Sequence, residues 1–258
     1  MTTIATTGTA GRVRRIAYAV LAGLLGLAAG FVIGGFLALA FGFTGGMHAI
    51  HDVGWGVMTG LLLAVGLLVQ VHRPEHKVAA LQQAGAVAAA FLVGMLAVGS
   101  FDVFGVIPLV AVLLLVALHP ARSEVFRIGE VSRRLAGLTV LGAIPLTVFA
   151  LGQLELQRLD IPGDEHAEEM HYAGMFVMAL ALVLVGLVAS GRAAGWRIPA
   201  WSAGLGTAVY GVASVIFTQH ASSAGVGWGI AAILGGLAFI AVAESEARRV
   251  PRREEVSA

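Results

Sequence analysis

Apolar residues run along this chain in long, nearly charge-free blocks separated by short polar clusters. Eight blocks stand out, at about 16–43, 52–71, 79–99, 103–119, 135–153, 171–190, 199–218 and 225–243. Several reach roughly 18 to 25 residues, which at about 1.5 Å of helical rise per residue crosses a hydrocarbon layer of about 30 Å. The pattern predicts an all-α integral membrane protein with about eight transmembrane helices. The shortest connection is 100-SFD-102, followed by a block of only about 17 residues. The first block follows 12-RVRR-15 and continues to Phe43. That is far beyond a secretory core of about 7 to 15 residues, so a retained helix is expected.

The polar clusters between the blocks alternate in sign. With a cytoplasmic N-terminus, segments 1–15, 72–78, 120–134, 191–198 and 244–258 face inward and carry 15 of the 16 Lys and Arg residues. Only Arg158 falls outside them, against eight outer acids: Asp52, Asp102, Glu155, Asp160, Asp164, Glu165, Glu168 and Glu169. Basic residues are retained on the cytoplasmic side of a membrane, so the expected location is the plasma (inner) membrane with both termini cytoplasmic. The same rule explains the basic loops without a nucleic-acid partner.

The blocks also repeat. Shifting the chain by 120 residues lays 51-HDVGWGVMTGLLLAVGLLVQ-70 on 171-HYAGMFVMALALVLVGLVAS-190, with eight of 20 positions identical. The matches include His51/His171, Gly54/Gly174, Met58/Met178 and Gly66/Gly186. Arg14-Arg15 meets Arg133-Arg134, and Arg73 meets Arg192, at an offset of 119. The expected organisation is two tandem four-helix halves, 1–122 and 123–247, with a charged tail at 248–258. Four is an even number of crossings, so the halves share one orientation and are related by a pseudo-two-fold axis along the membrane normal.

Composition narrows the chemistry. The chain is 58% hydrophobic and 12% charged, and has no cysteine, which excludes thiolate zinc sites, iron–sulfur clusters and cysteine-linked haem. No Asp, Glu, Lys or Arg lies near the middle of a block, which argues against a proton-coupled transporter or ion pump. Phosphate-binding glycine loops, G-x-S-x-G elbows and HExxH motifs are absent. No catalytic constellation is legible, so whether the protein is an enzyme stays open at this point.

Histidines are the remaining chemical signal. Five of eight (His48, His51, His166, His171 and His220) fall at the expected outer face. His51 and His171 open matching blocks, each with Gly at i+3 and Met at i+7 on the same helical face. His48 and His51 are one helical turn apart, and Glu168 and His171 have the same spacing. His48, His51, Glu168 and His171 are therefore candidate ligands for copper, zinc or iron. Met47 and Met170, each beside a histidine, lean toward copper. Haem is the other cofactor considered, with His171 and His220 as axial ligands in the second half and His51 related to His171 by the repeat. Asp164 and Glu165 read as wet rim.

Two other functions fit the pattern. A non-catalytic subunit or scaffold would use the Gly26/Gly30/Gly34 face of the first helix, or the acidic outer loop 154–170, to hold a protein partner. A permease for a small neutral solute would line its path with Thr207, Ser214, Thr218 and Gln219.

Overall fold

A computed structural model describes residues 8–38, 48–101, 103–159 and 161–249. The end of the first apolar block, Met47, Asp102, Asp160 and the tail from 250 lie outside the described residues. The described chain is helical and contains no strand. Its helices are α1 (Thr9–Ala38), α2 (Ala49–Val71), α3 (Val78–Val98), α4 (Val103–Leu118), α5 (Arg133–Leu159), α6 (Glu165–Glu168), α7 (His171–Ser190), α8 (Arg197–Ile216) and α9 (Gly225–Ala247).

Six of them, α1, α2, α3, α5, α7 and α9, are long and apolar enough to cross a membrane. The apolar stretch of α4, Gly105–Leu118, is shorter, and α8 is not among the six. α5 runs six residues past the expected end at 153, because 153-QLELQ-157 continues the helix with buried faces at Gln153, Leu154 and Gln157. The tight break after α3 is built by Gly99. It takes the left-handed conformation (φ 74°), and the Gly99 and Ser100 amides both donate to the Met95 carbonyl. Glycine adopts this C-terminal cap without a Cβ penalty.

α2 and α7 are the central pair, the most buried of the six spanning helices. α1 lies against α2, and α7 packs on α5, α3 and α8. α1 and α5 are peripheral and present Leu24, Leu27, Phe31, Val140, Leu141, Ile144 and Val148 outward. Apolar side chains on the outside suit a lipid environment, where helix contacts come from close packing rather than from hydrophobic segregation. Glycine supplies that closeness between α8 and α9. A Cβ on Gly204 would stand 2.7 Å from the Gly236 carbonyl, and one on Gly211 would stand 2.6 Å from the Gly229 carbonyl. Of the glycines on α1, Gly26 receives Leu68 of α2, whereas Gly30 faces open space.

Two features fall on positions related by the 119- to 120-residue sequence offset. At Gly54 a Cβ would meet Met175 Sδ at 2.5 Å, and at Gly174 it would meet the Trp55 indole at 2.9 Å. Position 55 shifted by 120 is 175, so α2 and α7 exchange the same contact. Arg73 and Arg192 both leave their helices in the left-handed region, at φ 48° and 46°. Non-glycine residues rarely adopt that conformation.

α2 is not a regular helix. Its middle, Val57–Ala64, is π-helical, a wide turn that leaves carbonyls without their usual partners. Gln83 of α3 meets this need: its Nε2 donates to the carbonyls of Leu61 (3.2 Å) and Leu62 (2.6 Å). Unpaired backbone groups are costly where no water reaches, so one buried amide keeps the distortion viable.

Candidate metal centre

The site forms where the starts of α2 and α7 meet. His48 stands just before α2, His51 lies in its first turn, and His171 is the first residue of α7. The fourth imidazole, His166, comes from α6, a single turn in the segment between α5 and α7.

That segment is fixed by its own polar residues. Asp164 caps α6, its Oδ1 accepting from the His166 amide at 3.0 Å, while its Oδ2 accepts from the Tyr172 hydroxyl at 3.2 Å. An aspartate at this position satisfies an otherwise open helix amide. Gln157 of α5 holds both sides of the α6–α7 junction. Its Nε2 donates to the Ala167 carbonyl at 2.8 Å, and its Oε1 accepts from the Ala173 amide at 3.0 Å. Between them Met170 turns the chain at φ 59°, so α6 and α7 are separate helices.

The four rings are in mutual contact. His51 and His171 stack with centroids 4.9 Å apart and planes 10° apart. His48 lies 4.7 Å from His171 and 4.9 Å from His166, and His51 lies 4.8 Å from His166. One nitrogen from each of the four falls within 4.8 Å of the others. Bonds of about 2.0–2.1 Å to a tetrahedral ion imply nitrogen separations of about 3.3 Å. The His48 Nδ1 to His171 Nδ1 distance is 3.2 Å, so one edge of such a tetrahedron already has its length.

Nitrogen orientation is set from outside the cluster. His51 is 1% exposed; its Nε2 meets Ser222 Oγ at 2.7 Å and its buried Nδ1 has no hydrogen-bond partner. His171 Nε2 lies 3.5 Å from Glu169 Oε2, which leaves Nδ1 toward His48. His166 Nδ1 lies 3.5 Å from Asp164 Oδ1. Metal-bound histidines commonly engage a carboxylate or hydroxyl through the opposite nitrogen. Asp52, 4% exposed and with Oδ2 unpaired, is a buried carboxylate within electrostatic range of His48.

Of the residues singled out in the sequence, His48, His51 and His171 come together here. Glu168 lies outside the group. Its pairing with His171 assumed a continuous helix; the left-handed Met170 breaks that helix, Glu168 is exposed, and Glu169 is the acid that reaches His171. His220 is also outside, its ring against Phe217 with centroids 5.7 Å apart. The residues that the sequence reading did not assign to the site are His166, Gln157, Gln153 and Ser222, and Asp164, read there as wet rim, instead caps α6 and accepts from Tyr172. The usable signal for two of them was a glutamine pair four residues apart, Gln153 and Gln157, on one face of an apolar helix.

The group of four imidazoles could hold a metal ion. No family model, curated protein or solved structure matches this chain. Function therefore rests on the site itself.

Proposed function

We propose that this is a metal-handling protein of the plasma (inner) membrane, holding one zinc or copper ion through His48, His51, His166 and His171 at its extracytoplasmic face. The observation that carries the reading is the unpartnered Nδ1 of buried His51 inside a group of four imidazoles. A buried polar atom without a partner costs about 1–3 kcal/mol, and a bound cation removes that cost. Imidazole donors suit zinc and copper. Four of them saturate a tetrahedral ion, which is the pattern of a holding site rather than a hydrolytic site with an open position.

The topology belongs to the same proposal. All eight long helices cross the membrane, in two four-helix halves at 1–122 and 123–247, with both termini cytoplasmic. The distribution of basic residues supports the orientation. The exchanged Gly54–Met175 and Gly174–Trp55 contacts, and the matched conformations of Arg73 and Arg192, support the duplication.

The test is elemental analysis and zinc or copper titration of the detergent-purified full chain. The expected result is one ion per chain, lost in His51→Ala and His171→Ala. A purified protein that takes up neither ion, or takes it up equally well without His51 and His171, refutes the proposal.

A further inference from the structure

We infer that Ser222 and Gln153 are positioning residues that fix the tautomer of His51 and so present its Nδ1 to the metal. The inference rests on the metal reading for its consequence, but the tautomer is readable in metal-free protein.

Hydrogen-bond direction carries the argument. Ser222 Oγ lies 2.6 Å from Gln153 Oε1 and 2.7 Å from His51 Nε2. A serine hydroxyl has one proton, and an amide oxygen only accepts. The Ser222 proton is therefore committed to Gln153, and Ser222 Oγ accepts from His51. That places the single imidazole proton on Nε2 and a lone pair on Nδ1, the buried atom left without a hydrogen-bond partner.

All three residues are buried: Ser222 is 0% exposed, His51 1% and Gln153 4%. Water does not compete for these bonds. The turn carrying Ser222, between α8 and α9, is itself held. Its Ser222 carbonyl accepts from the Tyr210 hydroxyl, the Ser223 hydroxyl donates to the Ser214 carbonyl at 3.0 Å, and the Ala224 amide donates to Ser214 Oγ at 3.3 Å. Gln153 sits on α5, four residues before Gln157, the residue that clamps the His166–His171 segment. One helix thus positions histidines from both sides of the cluster.

The experiment uses the full-length chain in detergent with labelled histidine. Long-range proton–nitrogen NMR distinguishes the two imidazole tautomers, and the His51 signals are identified as those missing from His51→Ala. In metal-free protein His51 is expected to carry its proton on Nε2. Ser222→Ala removes that preference and weakens zinc binding about 10- to 100-fold, the usual effect of deleting an outer partner of a metal-bound histidine. Ser222→Thr, which keeps the hydroxyl, retains both properties. Gln153→Leu frees the hydroxyl proton, and the Nε2-protonated form of His51 loses its dominance.

A wild-type His51 protonated on Nδ1 overturns the inference, as does a Ser222→Ala protein whose tautomer and zinc affinity are unchanged. If zinc binds no variant and not the wild type, the metal reading has failed. The tautomer pattern then still decides whether Ser222 and Gln153 position His51.

Discussion

Replacing His166 with alanine separates the four-histidine site from the arrangement that helical spacing alone suggests. His166 is one of the four imidazoles that could hold an ion, and its ring centroid lies 4.8 Å from His51 and 4.9 Å from His48. Four-ligand structural zinc sites are worth about 10–16 kcal/mol, or roughly 2.5–4 kcal/mol per ligand when shared equally. At about 1.4 kcal/mol per decade, His166→Ala weakens zinc binding by roughly two to three orders of magnitude. Glu168→Ala is the control: Glu168 is exposed and outside the cluster, so affinity stays within about twofold, as expected of surface substitutions. Competition against a chromophoric zinc chelator, with the protein in detergent, measures both. Equal losses in the two variants, or a His166→Ala affinity within about threefold of wild type, refute the geometry.

Other outcomes follow from packing and topology. Gly236→Ala pushes a methyl group into the Gly204 backbone and destabilises the protein by about 1–3 kcal/mol, the range for overpacking. Gly235→Ala meets nothing within 4 Å and gains up to about 1 kcal/mol of helix propensity; thermal unfolding in detergent showing the same shift for both contradicts this account. Gln83→Leu strips the donor from the Leu61 and Leu62 carbonyls and lowers stability by about 1 kcal/mol, in line with polar contacts between membrane helices. Unchanged unfolding by denaturing detergent argues against Gln83 as the support of the π-helical turn. The chain has no cysteine, so single cysteines report topology cleanly. Glu165→Cys reacts with an impermeant maleimide in intact cells, and Glu124→Cys reacts only after permeabilisation; the reverse pattern inverts the orientation.

The features legible in the sequence were those with a period or a length. Apolar blocks marked the long helices, and the 120-residue offset pointed to His51 and His171, whose rings stack. The rest depended on departures from regular geometry. Glu168 and His171 have helical spacing on paper, but a single left-handed residue at Met170 rotates one away from the other and brings His166 inward instead. The sequence places most of the QLELQ stretch in the acidic outer loop after 153, yet in an extended α5 its glutamines face inward and bond Ser222 and the α6–α7 junction. The π-helical turn leaves no trace in composition, because its support, Gln83, lies on another helix.

If the site holds an ion as proposed, the distances along the chain between its members carry a consequence for stability. His48 meets His171 across 123 residues, and His51 meets Ser222 across 171. An ion held here fastens segments that separate when the protein unfolds. It therefore shifts the folding equilibrium, by about 2.7 kcal/mol when free ion stands at a hundred times its dissociation constant. Differences of about 1–2 kcal/mol change cellular abundance several-fold through proteolysis. Metal supply would then set how much of this protein a membrane retains, with turnover of the unloaded form serving as the readout.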